Sequence, residues 1–186
     1  MSPRDPPGAP RPPTWIDPGT GGTGPRVYPL WFLDHGARTL VRSEHDNTQV
    51  VRWMTREKGI VLAGPDPRGL IDEVTADALR GEARETVRRA TAKWLAEPVW
   101  SRWLQGYMVV FYCRVLHTLQ TGEVSSKQTA AAWAQSTLDP RWHKLIASSL
   151  EVEAAAFQAQ AADNDAVAET QDFMRDALRW AESTGR

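Results

Sequence analysis

The chain has almost no cysteine. Cys113 stands alone among 186 residues, which excludes an intrachain disulfide and fits a reducing compartment. No apolar run approaches the roughly 18 residues of a membrane-spanning helix. The opening residues, Met1-Ser2-Pro3-Arg4-Asp5-Pro6-Pro7, lack the apolar stretch of an export signal. Basic charge is not in excess either. Lys and Arg number 22 against 23 Asp and Glu, for a net charge of −1, so there is no positive field to hold a nucleic acid. Together these absences lead us to expect a soluble cytoplasmic protein with neither a membrane nor a nucleic acid as its partner.

Several catalytic patterns are missing too. His35, His45, His117 and His143 show no H-x-x-x-H or H-E-x-x-H spacing, which argues against a zinc site. There is no G-x-S-x-G elbow and no evident nucleophile–base pair. Gly19-Thr20-Gly21-Gly22-Thr23-Gly24 matches G-x-G-x-x-G, but Pro18 precedes it and Pro25 follows. A phosphate loop needs a strand before it and a helix N-terminus after it, so this segment reads as a linker. Two acidic pairs, Glu44 with Asp46 and Asp163 with Asp165, are explained by helix capping more readily than by Mg²⁺.

What is present is a change of texture along the chain. Nine of the thirteen prolines fall between Pro3 and Pro29, so residues 1–26 are expected to form a disordered Pro/Gly-rich tail. Apolar runs at Val27–Leu33 and Arg38–Arg42 flank Asp34-His35-Gly36-Ala37 and suggest paired strands with a turn. Asp46 or Asn47 is expected to cap a helix with Val50, Val51 and Met54 on one face, stopped by Gly59. Ile60-Val61-Leu62-Ala63 reads as a short buried strand, closed by Gly64-Pro65.

From there the pattern is helical. Thr75 starts a helix that Pro98 ends, with Leu79, Val87 and Ala90 inward. A second covers Arg102 to Thr121, with Leu104, Met108, Tyr112, Val115 and Leu119 at helical spacing and Gly122 as its stop. Ser125 or Ser126 caps a third. Asp139-Pro140 opens a fourth, which carries Trp142, Leu145, Ile146 and Leu150. A last helix from Asn164 to Glu182 puts Val167, Thr170, Met174, Ala177, Leu178 and Ala181 on one stripe. The expected architecture is mainly α: a small α/β remnant over residues 27–66, then a five-helix bundle over 67–186.

Nine tryptophans are many for this length. Trp94, Trp100 and Trp103 gather around the Pro98 break, and core packing explains them better than a wall for a flat or sugar-like ligand. Arg114 is harder to place. It interrupts the apolar run from Tyr107 to Cys113, where a cation must snorkel or find a partner. Lys127 lies just past Gly122, in the first turn of the next helix. Two cations at a helix–helix corner suit a polyphosphate, although an exposed lysine and a snorkelling arginine need no ligand.

Several segments resemble the aminoglycoside adenylyltransferases of the streptomycin/spectinomycin type. His45-Asp46-Asn47 opens a helix as in that family. Arg56-Glu57-Lys58-Gly59-Ile60-Val61-Leu62-Ala63-Gly64-Pro65 is similar to its R-E-H-x-V-x-L-x-G-P segment, and Leu70-Ile71-Asp72-Glu73-Val74 to its L-F/I-D-P-V. The most specific match is Cys113-Arg114-Val115-Leu116-His117-Thr118-Leu119-Gln120-Thr121-Gly122-Glu123-Val124-Ser125-Ser126-Lys127, followed by Ala130-Ala131-Ala132-Trp133-Ala134. The family pattern there is S/C-R-x-x-Y-x-x-x-T-G-x-x-x-x-K with A-x-x-W-A. The resemblance covers about residues 27 to 180.

The resemblance implies a helical domain that closes over ATP and an aminoglycoside, with AMP passed to a hydroxyl of the antibiotic and Mg²⁺ as cofactor. By it, Arg114 and Lys127 would bind the ATP phosphates. Trp94 would match a tryptophan lining the antibiotic site, with Trp100 opening the segment beside it. The departures are as informative. The family's N-terminal domain carries a Gly-Ser motif, a metal-binding D-x-D and a carboxylate base, and this sequence contains no Gly-Ser pair. The segment from Trp100 to Gln105 has no acid where the family has residues contacting streptomycin. The chain is therefore expected to be a truncated or split nucleotidyltransferase, inactive alone and in need of a complementing domain or of oligomerisation. The rival expectation is a non-catalytic helical interaction or regulatory module. A helix-turn-helix reading of Ser126–Trp133 is disfavoured by the acidic balance, and an RNase pairing of Arg38 with His45 by the strand between them.

Overall fold

Four helices after residue 74 begin at a side chain that accepts a hydrogen bond from its own first turn. In the computed structural model, which describes residues 30–33, 37–43, 47–96, 100–154 and 162–184, these caps are Thr75, Ser101, Ser126 and Asp163. Each satisfies a backbone N–H that the helix cannot. The chain divides into two compact units, Met1–Glu73 and Val74–Arg186. The Pro/Gly-rich tail, the Gly19–Gly24 motif, His35, Glu44, His45, Asp46 and Pro98 lie outside the described residues.

In the first unit β1 (Leu30–Phe32) pairs antiparallel with β2 (Val41–Ser43), in the register Leu30↔Ser43, Trp31↔Arg42, Phe32↔Val41. Leu33 and residues 38–40, which belong to the apolar runs that announce the pair, stay outside the strands. Helix α1 (Gln49–Lys58) is capped by Thr48, whose Oγ1 accepts from the Val51 N–H at 3.1 Å. Asn47 does not cap it; its Oδ1 accepts from Arg52 Nε at 2.9 Å. Arg56 Nη1 donates to the carbonyls of Arg68 and Ile71, at 2.5 and 2.7 Å, and so ties α1 to the 3-10 turn Pro67–Gly69 and the residues after it.

The expected helix α1 is present, with Val51 and Met54 on its surface at 37% and 41% exposed. One further sequence expectation fails in this unit. Ile60-Val61-Leu62-Ala63 is not a strand, and Ile60 and Leu62 are 85% and 93% exposed. A strand exists only when a neighbour takes its N–H and C=O groups. The described sheet consists of β1 and β2 alone, and no edge in it takes up this run.

The second unit is a five-helix bundle: α2 (Ala76–Leu95), α3 (Arg102–Thr121), α4 (Lys127–Thr137), α5 (His143–Ala154) and α6 (Asn164–Ser183). Asp139-Pro140 opens a 3-10 turn, Pro140–Trp142, that leads into α5, rather than α5 itself. Helix α3 is apolar nearly all round and packs against each of the other four. Tyr112, Phe173, Leu79, Met108, Leu116 and Ile146 are the largest fully buried side chains, each stabilising the fold by roughly 1.5–3 kcal/mol. Phe173, beside the expected stripe of α6, meets Tyr112 and Trp142 edge-on at 6.3 and 5.5 Å. Among the described residues no helix is long and apolar enough to cross a membrane.

Candidate functional site

Helix α3 stops because Gly122 takes the left-handed conformation, φ +74°. A Cβ at this position would lie 2.7 Å from Ala76 Cβ and 2.9 Å from the Arg80 guanidinium. Only glycine allows both the backbone turn and the close approach of α2. The corner is then closed by hydrogen bonds. Gly122 N–H donates to the Thr118 carbonyl at 2.8 Å, Thr118 Oγ1 to the Glu123 carbonyl at 3.0 Å, and Glu123 N–H to Thr121 Oγ1 at 3.1 Å.

Arg80 completes the corner from another helix. Its Nη2 donates to the Thr121 carbonyl at 3.0 Å, while Asp77 holds its Nη1 at 2.9 Å. A cation at the end of α3 satisfies an orphan carbonyl and complements the helix dipole. Nothing in the local sequence marks Arg80 for this, because its partner lies 41 residues away. On the inner side His117 is 7% exposed and stands edge-on to Trp133 at 5.5 Å, with its Nδ1 3.4 Å from Thr121 Oγ1. Trp133 in turn meets Trp180 edge-on at 5.7 Å.

The two sequence-expected cations flank this corner. Lys127 is the first residue of α4, directly after its cap Ser126, and is half-buried. Arg114 lies two turns before the end of α3, on the helical face that also carries Thr118 and Thr121. It too is half-buried, and its Nε is shut away from solvent without a hydrogen-bond partner. The same holds for Ser125 Oγ, two residues before Lys127. A buried polar group left unpaired costs about 1–3 kcal/mol and calls for an explanation such as a missing ligand. Donors of this kind can take an anion. Ser125 was visible in sequence only as a possible cap, a role that Ser126 fills.

The expected substrate tryptophans are brought together. Trp94 and Trp100 meet edge-on with ring centroids 6.2 Å apart. Trp100 is 6% exposed and belongs to the core, and its carbonyl accepts from the Ala162 N–H at 3.0 Å. Trp94 is the outer member, with Lys93 Nζ 4.6 Å from its ring centroid. Elsewhere in the bundle a cavity of about 330 Å³ opens between α3, α5 and α6, lined among others by Arg102, Gln105, Ser149, Asp163 and Glu169. Asp163 there serves as the cap of α6, its Oδ1 accepting from the Asp165 N–H at 2.8 Å.

Neither the Cys113 thiol nor the Tyr112 hydroxyl in the core is available as a base or nucleophile near neutral pH. Burial pushes the Cys113 thiol up to about 12. Burial likewise pushes the Tyr112 hydroxyl up to about 12, against a smaller opposing effect of its bond to Thr91. Among the described residues no group of three His, Cys, Asp or Glu side chains converges as metal ligands do. The donor set thus fits an anion and does not fit Mg²⁺.

A family model described as aminoglycoside adenylyltransferase, C-terminal domain, matches residues 70–177, more than half of the chain. No curated protein matches the chain.

Proposed function

The chain belongs to the aminoglycoside adenylyltransferase C-terminal domain family, and from that premise we propose that its helical unit binds the phosphates of ATP at the α3–α4 corner for adenylyl transfer to a hydroxyl. Arg114 and Lys127 are the proposed phosphate ligands. The observation that carries this reading is the buried, unpartnered Nε of Arg114, a donor held ready on a rigid helix. Its neighbouring corner is fastened by Gly122 and Arg80, so the cation is positioned before any ligand arrives. Guanidinium and ammonium groups there offset charge on the phosphoryl oxygens, and such electrostatic positioning is most of what phosphoryl transfer requires of a protein.

In this reading Trp94 and Trp100 border the acceptor, an aminoglycoside-like hydroxyl compound, with Trp94 offering the surface and Trp100 backing it. Mg²⁺ would neutralise the phosphates, and its ligands and the catalytic base would come from a complementing nucleotidyltransferase domain. The described residues on their own bind and orient; they do not transfer AMP. Antibiotic resistance in the cytoplasm is the biological setting that the family suggests.

Calorimetric titration of the full chain with Mg·ATP tests the proposal. Binding should weaken ten-fold or more in both Arg114→Ala and Lys127→Ala, since a charge-assisted hydrogen bond contributes about 1.5–3 kcal/mol. Absence of heat with ATP and with aminoglycosides would instead favour a second reading, a helical interaction module. The observation behind that second reading is the exposed apolar run of Ile60, Val61 and Leu62 in the first unit.

A further inference from the structure

The cavity of about 330 Å³ between α3, α5 and α6 lies within the size range of small-molecule sites. It is lined by the start of α3, the later turns of α5 and the start of α6. Gln105, on its wall, precedes Arg114 by nine residues, or about two and a half helical turns. The cavity is therefore on the side of α3 away from the proposed phosphate corner. Two hydrogen bonds pin its frame. Gln105 Nε2 donates to the Ala166 carbonyl at 3.0 Å, and the Ala162 N–H donates to the Trp100 carbonyl at 3.0 Å.

The wall holds a hydroxyl that the fold does not use. Ser149 is 3% exposed and lines the cavity. Its neighbour Ser148 gives its hydroxyl to the Leu145 carbonyl at 3.1 Å. Among the described residues no side-chain hydrogen bond engages Ser149. Buried polar groups are ordinarily paired, so an idle hydroxyl in a cavity wall points to a polar occupant.

The rim carries charges of both signs. Arg102 comes from α3, and Asp163 and Glu169 belong to the start of α6. All three are exposed, and among the described residues none of them takes part in an ion pair. A simple anion here would face two carboxylates for one guanidinium. A simple cation would leave Arg102 without a partner. A molecule with a carboxylate and an ammonium on the same carbon can meet both signs at once. Leu145 and Val152 supply an apolar wall beside them.

We propose that this cavity binds a small zwitterion, a free α-amino acid with an aliphatic side chain. Its carboxylate pairs with Arg102 and its ammonium with Glu169 and the free oxygen of Asp163. Ser149 adds a hydrogen bond, and the side chain rests on Leu145 and Val152. The site is separate from the Arg114–Lys127 corner and does not depend on the transferase reading.

The test is calorimetry on the full chain with three probes. They are L-leucine, isoamylamine, which lacks its carboxylate, and 4-methylpentanoate, which lacks its ammonium. Leucine should bind with a Kd below about 1 mM, and each half-probe about ten-fold more weakly. Arg102→Gln and Glu169→Gln alter exposed residues, so both variants should fold, and each should weaken leucine about five-fold or more. Ser149→Ala removes only the idle hydroxyl. It should weaken leucine by about five-fold, while thermal unfolding without ligand stays the same or rises. A leucine Kd above about 1 mM overturns the proposal. So does a half-probe that binds as tightly as leucine, which would make this a plain amine or anion site, and so does an affinity indifferent to the three substitutions. Mg·ATP binding should be the same in all three variants as in the parent chain. If leucine binds as expected and ATP does not bind at all, the transferase reading falls and this site stands.

Discussion

Arg80 donates from Nη2 to the carbonyl of Thr121 at 3.0 Å, and this contact fastens the first turns of α2 to the last turn of α3. It sits directly over Gly122, whose missing side chain leaves room for the guanidinium. The two residues therefore form one device, a helix stop locked from a neighbouring helix. The proposed phosphate corner inherits its rigidity from that device.

Gly122→Ala should destabilise the bundle by about 1–3 kcal/mol, since alanine meets both an unfavourable φ and a Cβ collision. Arg80→Ala should cost about 1 kcal/mol, the value of a hydrogen bond to a partly exposed carbonyl. Urea unfolding followed by circular dichroism measures both. Because the guanidinium is one of the two groups the new methyl group meets, beside Ala76 Cβ, the double variant should be somewhat less damaging than the sum of the two single ones.

Thr91 and Tyr112 form a polar pair in the core at 2.7 Å. Thr91 Oγ1 already donates to the Val87 carbonyl at 2.8 Å, so Tyr112 must be the donor to Thr91. Thr91→Val strands the buried phenol and should cost about 1–3 kcal/mol, whereas Tyr112→Phe leaves Thr91 bonded and should cost about 1 kcal/mol. A double-mutant cycle in urea should return a coupling of the same order as the single hydrogen bond.

Alkaline pH should weaken the fold through Tyr112 and Cys113. Both have folded-state pKa values raised to about 12, from ordinary values of 10.0 and 9.0. The folded state holds these protons more tightly than the unfolded chain. Their contribution is thus complete below pH 9 and is lost as pH rises from 9 toward 12. The urea midpoint should fall across that window, and fall less in Tyr112→Phe and Cys113→Ala. By the same burial, an aromatic disulfide reagent should leave the Cys113 thiol unmodified in the folded protein and react once urea unfolds it.

Arg114→Met separates stability from binding. The substitution keeps an unbranched chain of similar length and removes the orphaned Nε donor. Thermal unfolding should show unchanged or higher stability, by up to about 1 kcal/mol, while calorimetry shows ATP affinity lost. A large destabilisation would instead assign Arg114 a structural role and remove it from the proposed site.

Much of the helical unit was legible in the sequence because its punctuation is local. Thr75, Ser126, Asp163 and Gly122 act on residues within one turn of themselves, and their spacing alone gave helix ends that the structure reproduces. The same reach explains why Arg114 stood out, as a cation in an apolar run needs no tertiary knowledge to be noticed. Helix α1 shows the limit at close range. The sequence offered Asp46 or Asn47 as its cap, whereas Thr48 caps it and Asn47 Oδ1 accepts from Arg52 Nε instead.

By itself the sequence determined the starts of α2, α3 and α6 and the end of α3, though not the start of α5, and it marked Arg114 and Lys127 as the candidate cations, since caps, glycine stops and apolar periods depend on neighbours along the chain. The tertiary structure alone decided what distant residues do to one another. It set Arg80 on Thr121, buried Trp100 behind Trp94, stacked Trp103, Tyr107 and Phe111 into a row, and left Ile60–Ala63 without a strand partner. A strand, a salt bridge or a ligand face is a property of two or more segments, and whether they meet is settled by packing rather than by the pattern of either one.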